Sequence, residues 1–199
     1  MRIFQTVSAV SFFSFLILIF VGTPGRSVAQ VQYRSDDFTL TIKGTSSVHD
    51  WEVTSDKGKL EAVLLLGNNS KITGLSGLHF TVESKSLKSG RNSMDNNTYK
   101  ALKTNTYNSI SFNLTSAKIL QLEANSYQLT CLGDLTIAGT TRETELLAGC
   151  KLNADKTFTC SGIKKLKMTD FNVKPPTALM GTIKTGNEIS VVYSMNIGK

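Results

Sequence analysis

From Gln30 to the C-terminus, apolar and polar residues take turns along the chain, and a period of two is the signature of half-buried strands. Phe38, Leu40 and Ile42 alternate with Thr39, Thr41 and Lys43. Leu78, Phe80 and Val82 repeat the pattern, and Ile110, Phe112 and Leu114 alternate with Ser111, Asn113 and Thr115. Leu60, Ala62, Leu64 and Leu66 form another row, and Tyr127, Leu129 and Cys131 share a face with Leu135 and Ile137. The last segment is the cleanest: Ile189, Val191, Tyr193, Met195 and Ile197 point one way, Ser190, Val192, Ser194 and Asn196 the other. One face dry and one face wet is the habit of antiparallel sheets. Gly44–Ser47, Asp56–Gly58, Gly67–Ser70, Ala138–Thr140 and Gly186–Asn187 read as tight connections between these runs. Many strands joined by short polar turns predict an all-β barrel or sandwich.

One helix is expected, between Ser93 and Lys103, about three turns long. Ser93 or Asp95 can cap it, and Met94, Thr98, Ala101 and Leu102 fall near one face. Its place in the chain suits a cover over a barrel mouth or a crossover.

The N-terminal 29 residues read as a signal peptide. Arg2 supplies positive charge, Phe12–Val21 is an apolar run, and Gly22, Pro24 and Gly25 break it. Ser27-Val28-Ala29 then offers small residues for cleavage. The run is shorter than the roughly 18–20 residues of a spanning helix. Cleavage after Ala29 is expected, with an uncleaved N-terminal anchor as the alternative. The destination is periplasmic or secreted, with no integral membrane segment left after cleavage and residues 30–199 as one domain.

The chain has 22 basic and 15 acidic residues, for a net charge of +7. Arg2 and Arg26 lie in the leader, which has no acids, so the remainder carries 20 against 15, a net +5. Lys164, Lys165 and Lys167 form its densest cluster, near Lys151 and Lys156. Without interleaved aromatics, this cluster is read as a solvated strand face rather than a nucleic-acid or anionic-membrane patch, and no nucleic-acid partner is expected. In an exported chain disulfides persist. Cys150 and Cys160 flank a hairpin turn at Asn153–Lys156. If Leu152 faces Phe158, the two cysteines face each other and are expected to bridge. Three reduced cysteines in a core fit the same spacing. Cys131 is expected as a small buried apolar residue.

Known chemistries leave little trace. His49 and His79 both lie in strand-like patterns, neither at metal-ligand spacing, and are expected to be structural. There is no nucleophile elbow, phosphate loop or dinucleotide fingerprint. His49-Asp50 would serve as a catalytic dyad only with a nucleophile and an oxyanion site beside it. The expectation is a binding protein rather than an enzyme, with no cofactor and no metal.

Gly44-Thr45-Ser46-Ser47-Val48-His49-Asp50-Trp51 joins the first two strands. Trp51 there suits a core anchor at a barrel floor or, less commonly, a ligand contact. Later come Met94-Asp95, Tyr99–Lys103, Tyr107 and Ile110-Ser111-Phe112. Then follow Leu132–Thr141, Thr169-Asp170-Phe171, Pro175-Pro176-Thr177 and Gly186–Ile189. In order and spacing this set resembles the YceI-like family of bacterial polyisoprenoid-binding proteins, in a Bacteroidetes-type variant. The resemblance covers essentially all of the chain after the leader.

It implies an extended antiparallel lipocalin-like barrel of about eight strands, exported, with a long-chain isoprenoid lipid or isoprenoid quinone inside. Carriage or storage in the cell envelope would be the role. A structural or stress-response barrel acting through its outer surface is the alternative, and a homodimer is left open. Alternation nominates Phe38, Leu40, Leu64, Phe80, Ile110, Phe112, Leu114, Leu129, Tyr193 and Met195 as the inward-facing set. Trp51 joins them, and Met94 and Leu102 would flank the entrance. Alternation identifies the inside of a barrel without telling whether that inside is full.

Overall fold

A computed structural model of the chain describes residues 29–68 and 71–198. The expected leader lies outside them apart from Ala29. Ten strands and one α-helix follow in order: β1 (Ala29–Ser46), β2 (Trp51–Ser55), β3 (Gly58–Leu66), β4 (Ile72–Glu83), α1 (Asn92–Leu102), β5 (Ser109–Glu123), β6 (Ser126–Ile137), β7 (Thr140–Leu152), β8 (Phe158–Lys167), β9 (Thr177–Ala178) and β10 (Ile183–Gly198). Eight of these strands close into an antiparallel barrel, because β1 pairs with β10 as well as with β3. The other two are short additions. β2 continues the line of β3 and pairs with the second half of β1, from Leu40–Ser55 to Gly44–Trp51. β9 pairs only with the start of β10.

The barrel has two unlike ends. At the floor lie the ends of β5 and β7, the start of β8 and the Asn153–Lys156 turn. There Phe158 is fully buried, with its ring 5.5 Å from that of Tyr33 and 6.5 Å from that of Tyr127, both edge-on. Burial raises the pKa of the Tyr33 phenol above its usual value. The Tyr127 hydroxyl is buried with no hydrogen-bond partner. In the same region Cys150 pairs directly with Cys160 in the β7–β8 ladder, and a disulfide joins them.

At the mouth, α1 lies over the barrel with Met94, Ala101 and Leu102 against the core. Neither Ser93 nor Asp95 caps it, since the N-cap position is Arg91 and has no side-chain cap. Asp95 reaches back instead. Its buried carboxylate accepts the Ser89 N–H at 2.7 Å and the Ser89 hydroxyl at 2.6 Å, and the Lys88 ammonium stands 3.6 Å away. Burial opposes its charge, but the two Ser89 donors and Lys88 together hold the carboxyl below its ordinary pKa. The Tyr99 hydroxyl donates towards the carbonyls of Lys85 and Leu87. The helix is thereby fastened to the segment preceding it.

Gly186–Asn187 is not a turn: it lies inside β10. The register shifts there, from Gly44 opposite Ile189 to Ser46 opposite Thr185, so a bulge absorbs the turn-like residues. The Asn187 side chain accepts the Thr169 N–H at 3.1 Å and donates to the Thr169 hydroxyl at 2.9 Å, docking the tight turn at Met168–Phe171.

Candidate functional site

Counting inward residues by twos around the barrel leads to a cavity of about 910 Å³ that opens at the mouth. This lies at the upper end of the volumes in which small molecules are held, roughly 300–1,000 Å³. Phe38 and Leu40 of β1, Leu64 of β3, Phe80 of β4, and Ile110 and Phe112 of β5 line it. So do Leu129 of β6, Tyr193 and Met195 of β10, Trp51 of β2, and Met94 and Leu102 of α1. Leu114 does not. It pairs with Gly133 in register with Phe112, just before β5 bulges, and packs on the core.

Trp51 is part of the wall at the mouth end, not a plug in the floor. Its register partner is Gly44, where a Cβ would fall 2.3 Å from the indole. The glycine makes the room, and the indole Nε1 donates to the Thr45 carbonyl at 3.0 Å. His49 lies in the turn between β1 and β2 rather than in a strand. It is exposed and lines the mouth. Its Nδ1 lies 2.7 Å from the backbone carbonyl of Asp50, so the dyad suggested by the sequence is a local backbone contact. His79 stays in β4, exposed, with Nδ1 2.6 Å from the Asn113 side-chain oxygen.

The lysine cluster divides. Lys164 pairs with Val191, and Leu166 with Ile189, so Lys164 stands in the inward row with Cys160 and Gly162. It is partly buried and lines the cavity, whereas Lys165 faces out. Counting by twos from Cys160 contains this signal, but a charged residue in an alternating strand is naturally assigned to the wet face. Arg91 and Lys167 also reach the cavity lining, with no Asp or Glu among the described residues there. The sequence reading did not nominate these three cations.

β7 and β8 pair only from Gly149–Ser161 to Leu152–Phe158, so the wall has an unpaired seam from there to the mouth. Tyr193 fastens its lower end. Its hydroxyl passes Gly162, where a Cβ would lie 2.4 Å from it, and donates to the Leu147 carbonyl at 2.8 Å. Near the mouth, Arg142 Nε donates to the Asp170 carbonyl at 2.9 Å. Burial, with a smaller contribution from Cys131, pushes the Tyr193 phenol up to about 12. Burial likewise pushes the Cys131 thiol, also in the cavity lining, up to about 11. Both therefore stay neutral at physiological pH, in keeping with an apolar wall. Among the described residues no group of three or more His, Cys, Asp or Glu side chains could hold a metal.

Closure of eight antiparallel strands around an apolar cavity, with a helix at its mouth, defines a lipocalin-like barrel. The model of the YceI-like domain matches residues 23–197, and the chain belongs to that family. Among solved structures, BcnA of Burkholderia cenocepacia is similar at a TM-score of 0.65 and 16% identity, over 81% of this chain and 96% of that one. A polyisoprenoid binding domain from Saccharophagus degradans is similar at 0.64 and 9% identity, over 85% and 98%. The YCEI protein of Campylobacter jejuni is similar at 0.51 and 20% identity, over 72% and 85%. No curated protein sequence matches the chain. Among the described residues no helix is long and apolar enough to cross a membrane.

Proposed function

We propose that this protein is exported and binds a long apolar lipid, a polyisoprenoid or an isoprenoid quinone, in its barrel for carriage or storage in the cell envelope. The observation that carries this reading is the cavity of about 910 Å³ with its wall of Leu, Ile, Phe, Met and Cys side chains. Such a wall binds by excluding water. Each buried methylene contributes about 0.8 kcal/mol, so roughly ten of them supply about 8 kcal/mol before ordering and association costs. Membership of the YceI-like family supports the reading, as does the likeness to a protein described as a polyisoprenoid binding domain. The role is binding, and no chemical step is assigned to it.

Trp51 is the one tryptophan in the chain and lines the cavity, so it can report occupancy. Titration with ubiquinones of one, four and eight isoprene units is expected to quench its fluorescence saturably, more tightly as the tail lengthens. Ala148→Phe, which adds a ring to the cavity wall, is expected to weaken the longest tail most. Lipid extraction of gently purified protein followed by mass spectrometry is expected to recover an isoprenoid. Unsaturable quenching together with an empty extract would overturn the reading in favour of a barrel that acts through its outer surface.

A further inference from the structure

We propose that the mouth of the barrel docks on an anionic lipid bilayer, inserting Val48, Leu179 and Met180, so that the cavity opens onto the lipid phase. Two neighbouring tips carry these side chains. One is the turn between β1 and β2, where Val48 is 63% exposed. The other is the small hairpin of β9 and the start of β10, where Leu179 is 73% exposed and Met180 fully so. The tips are tied together by backbone. The Ser47 N–H donates to the Lys184 carbonyl at 2.9 Å, and the Lys184 N–H donates to the Ser47 hydroxyl at 3.1 Å.

Leu179, Met180 and Gly181 follow one another at φ 47, 55 and 92, and the first two are residues that rarely take positive φ. Thr182 holds the tip through its N–H at 3.2 Å and its hydroxyl, both donated to the Leu179 carbonyl. The turn carries two large apolar side chains outward at the lip of the cavity they help to line. In water that arrangement is unfavourable; at a bilayer interface the same side chains are solvated by acyl chains.

The charge around this lip selects the kind of surface. Arg91 and Lys167 line the mouth, Lys184 is exposed on the hairpin between the two tips, and Lys164 stands further in. Of the exposed acids nearby, Asp50 lies in the neighbouring turn, and Asp170 and Glu188, the latter opposite Lys167 in the β8–β10 ladder, stand outside the cavity lining. Cations on the cavity's own lip, with no acid among the described lining residues, fit a bilayer with anionic headgroups, which attracts nearby Lys and Arg. A role for the mouth in docking does not depend on the cavity's occupant being an isoprenoid.

The test uses protein recovered after export, its N-terminus mapped by mass spectrometry, with every variant prepared identically. Co-sedimentation with vesicles of equal parts phosphatidylglycerol and phosphatidylcholine is expected to exceed that with pure phosphatidylcholine at least tenfold, and to fall at high salt. Leu179→Gln/Met180→Gln is expected to lose at least tenfold on the anionic vesicles, and Val48→Thr to lose less. Leu120→Gln/Leu122→Gln, on exposed apolar residues of β5 towards the floor, is expected to change nothing. Equal losses from the two double variants, or none from the mouth variant, would overturn the proposal. So would light scattering in which the mouth variant turns a dimer into a monomer while vesicle binding is unchanged.

Discussion

The floor and the mouth of the barrel are built from the same alternating strands, yet one is filled and the other is open. At the floor the inward positions hold Tyr33, Tyr127 and Phe158, whose rings meet across the axis, with the Cys150–Cys160 disulfide beside them. Higher up, the inward rows include Ala62, Cys131, Ala148 and Gly162, which reach too little of the interior to close it. Periodicity makes the barrel; the volumes on its inward rows decide where it is solid. Stability should therefore concentrate at the floor, and the mouth should tolerate change.

The strongest way to break that contrast is Phe158→Ala. Removing the ring at the centre of the floor cluster is expected to cost about 3–5 kcal/mol, as large aromatic-to-alanine changes in cores do, read from urea melts. A cost below about 1 kcal/mol would show the floor to be no more solid than the mouth. Next in size is Cys150→Ala/Cys160→Ala. The bridge spans a sequence separation of 10, so its loss is expected to cost about 2–3 kcal/mol. A reducing agent should lower the stability of the unsubstituted protein to match.

At the mouth, Asp95→Asn keeps an acceptor for Ser89 and removes the charge, for an expected cost of about 1 kcal/mol at pH 7. The Asp95 pKa is lower folded than unfolded, so its contribution is full above the unfolded value, near 3.9, and fades as pH falls through the folded value. Melts of the two proteins should accordingly differ at pH 7 and converge in acid. A difference that does not shrink as pH falls would assign the effect to packing.

The smallest effects come as a pair with opposite signs. Tyr193→Phe removes the donor to the Leu147 carbonyl in the seam and is expected to cost about 1 kcal/mol. Tyr127→Phe removes a buried hydroxyl without a partner and is expected to raise stability by about 0.5–1 kcal/mol. Thermal melts of the two variants in parallel check both signs.

Much of this was legible in alternation, and the gaps have physical causes. The final strand shows which face of Ile189–Ile197 is inward, and the hairpin count from Leu152 and Phe158 places Cys150 against Cys160. Alternation describes one strand at a time, so it is silent about which pairs fail to form, and the β7–β8 seam went unseen. Lys164 reads as wet-facing by its charge, whereas its register with Val191 turns it inward. Leu114 keeps the inward register of Phe112 yet falls outside the cavity lining, which alternation does not distinguish, and Gly186–Asn187 reads as a turn because turn-forming residues also make bulges. The lip at Leu179–Met180 had no signal, since neither residue type announces a left-handed backbone.

The ring closes through its first and last strands, β1 and β10, whose paired residues are about 150 positions apart at Leu40 and Tyr193. Joining segments so distant costs chain entropy before any contact repays it, and places the protein among slow folders. It also sets an order of events during synthesis. The β7–β8 hairpin needs only local residues, while closure waits for β10, without which β1 and β8 each lack a neighbour.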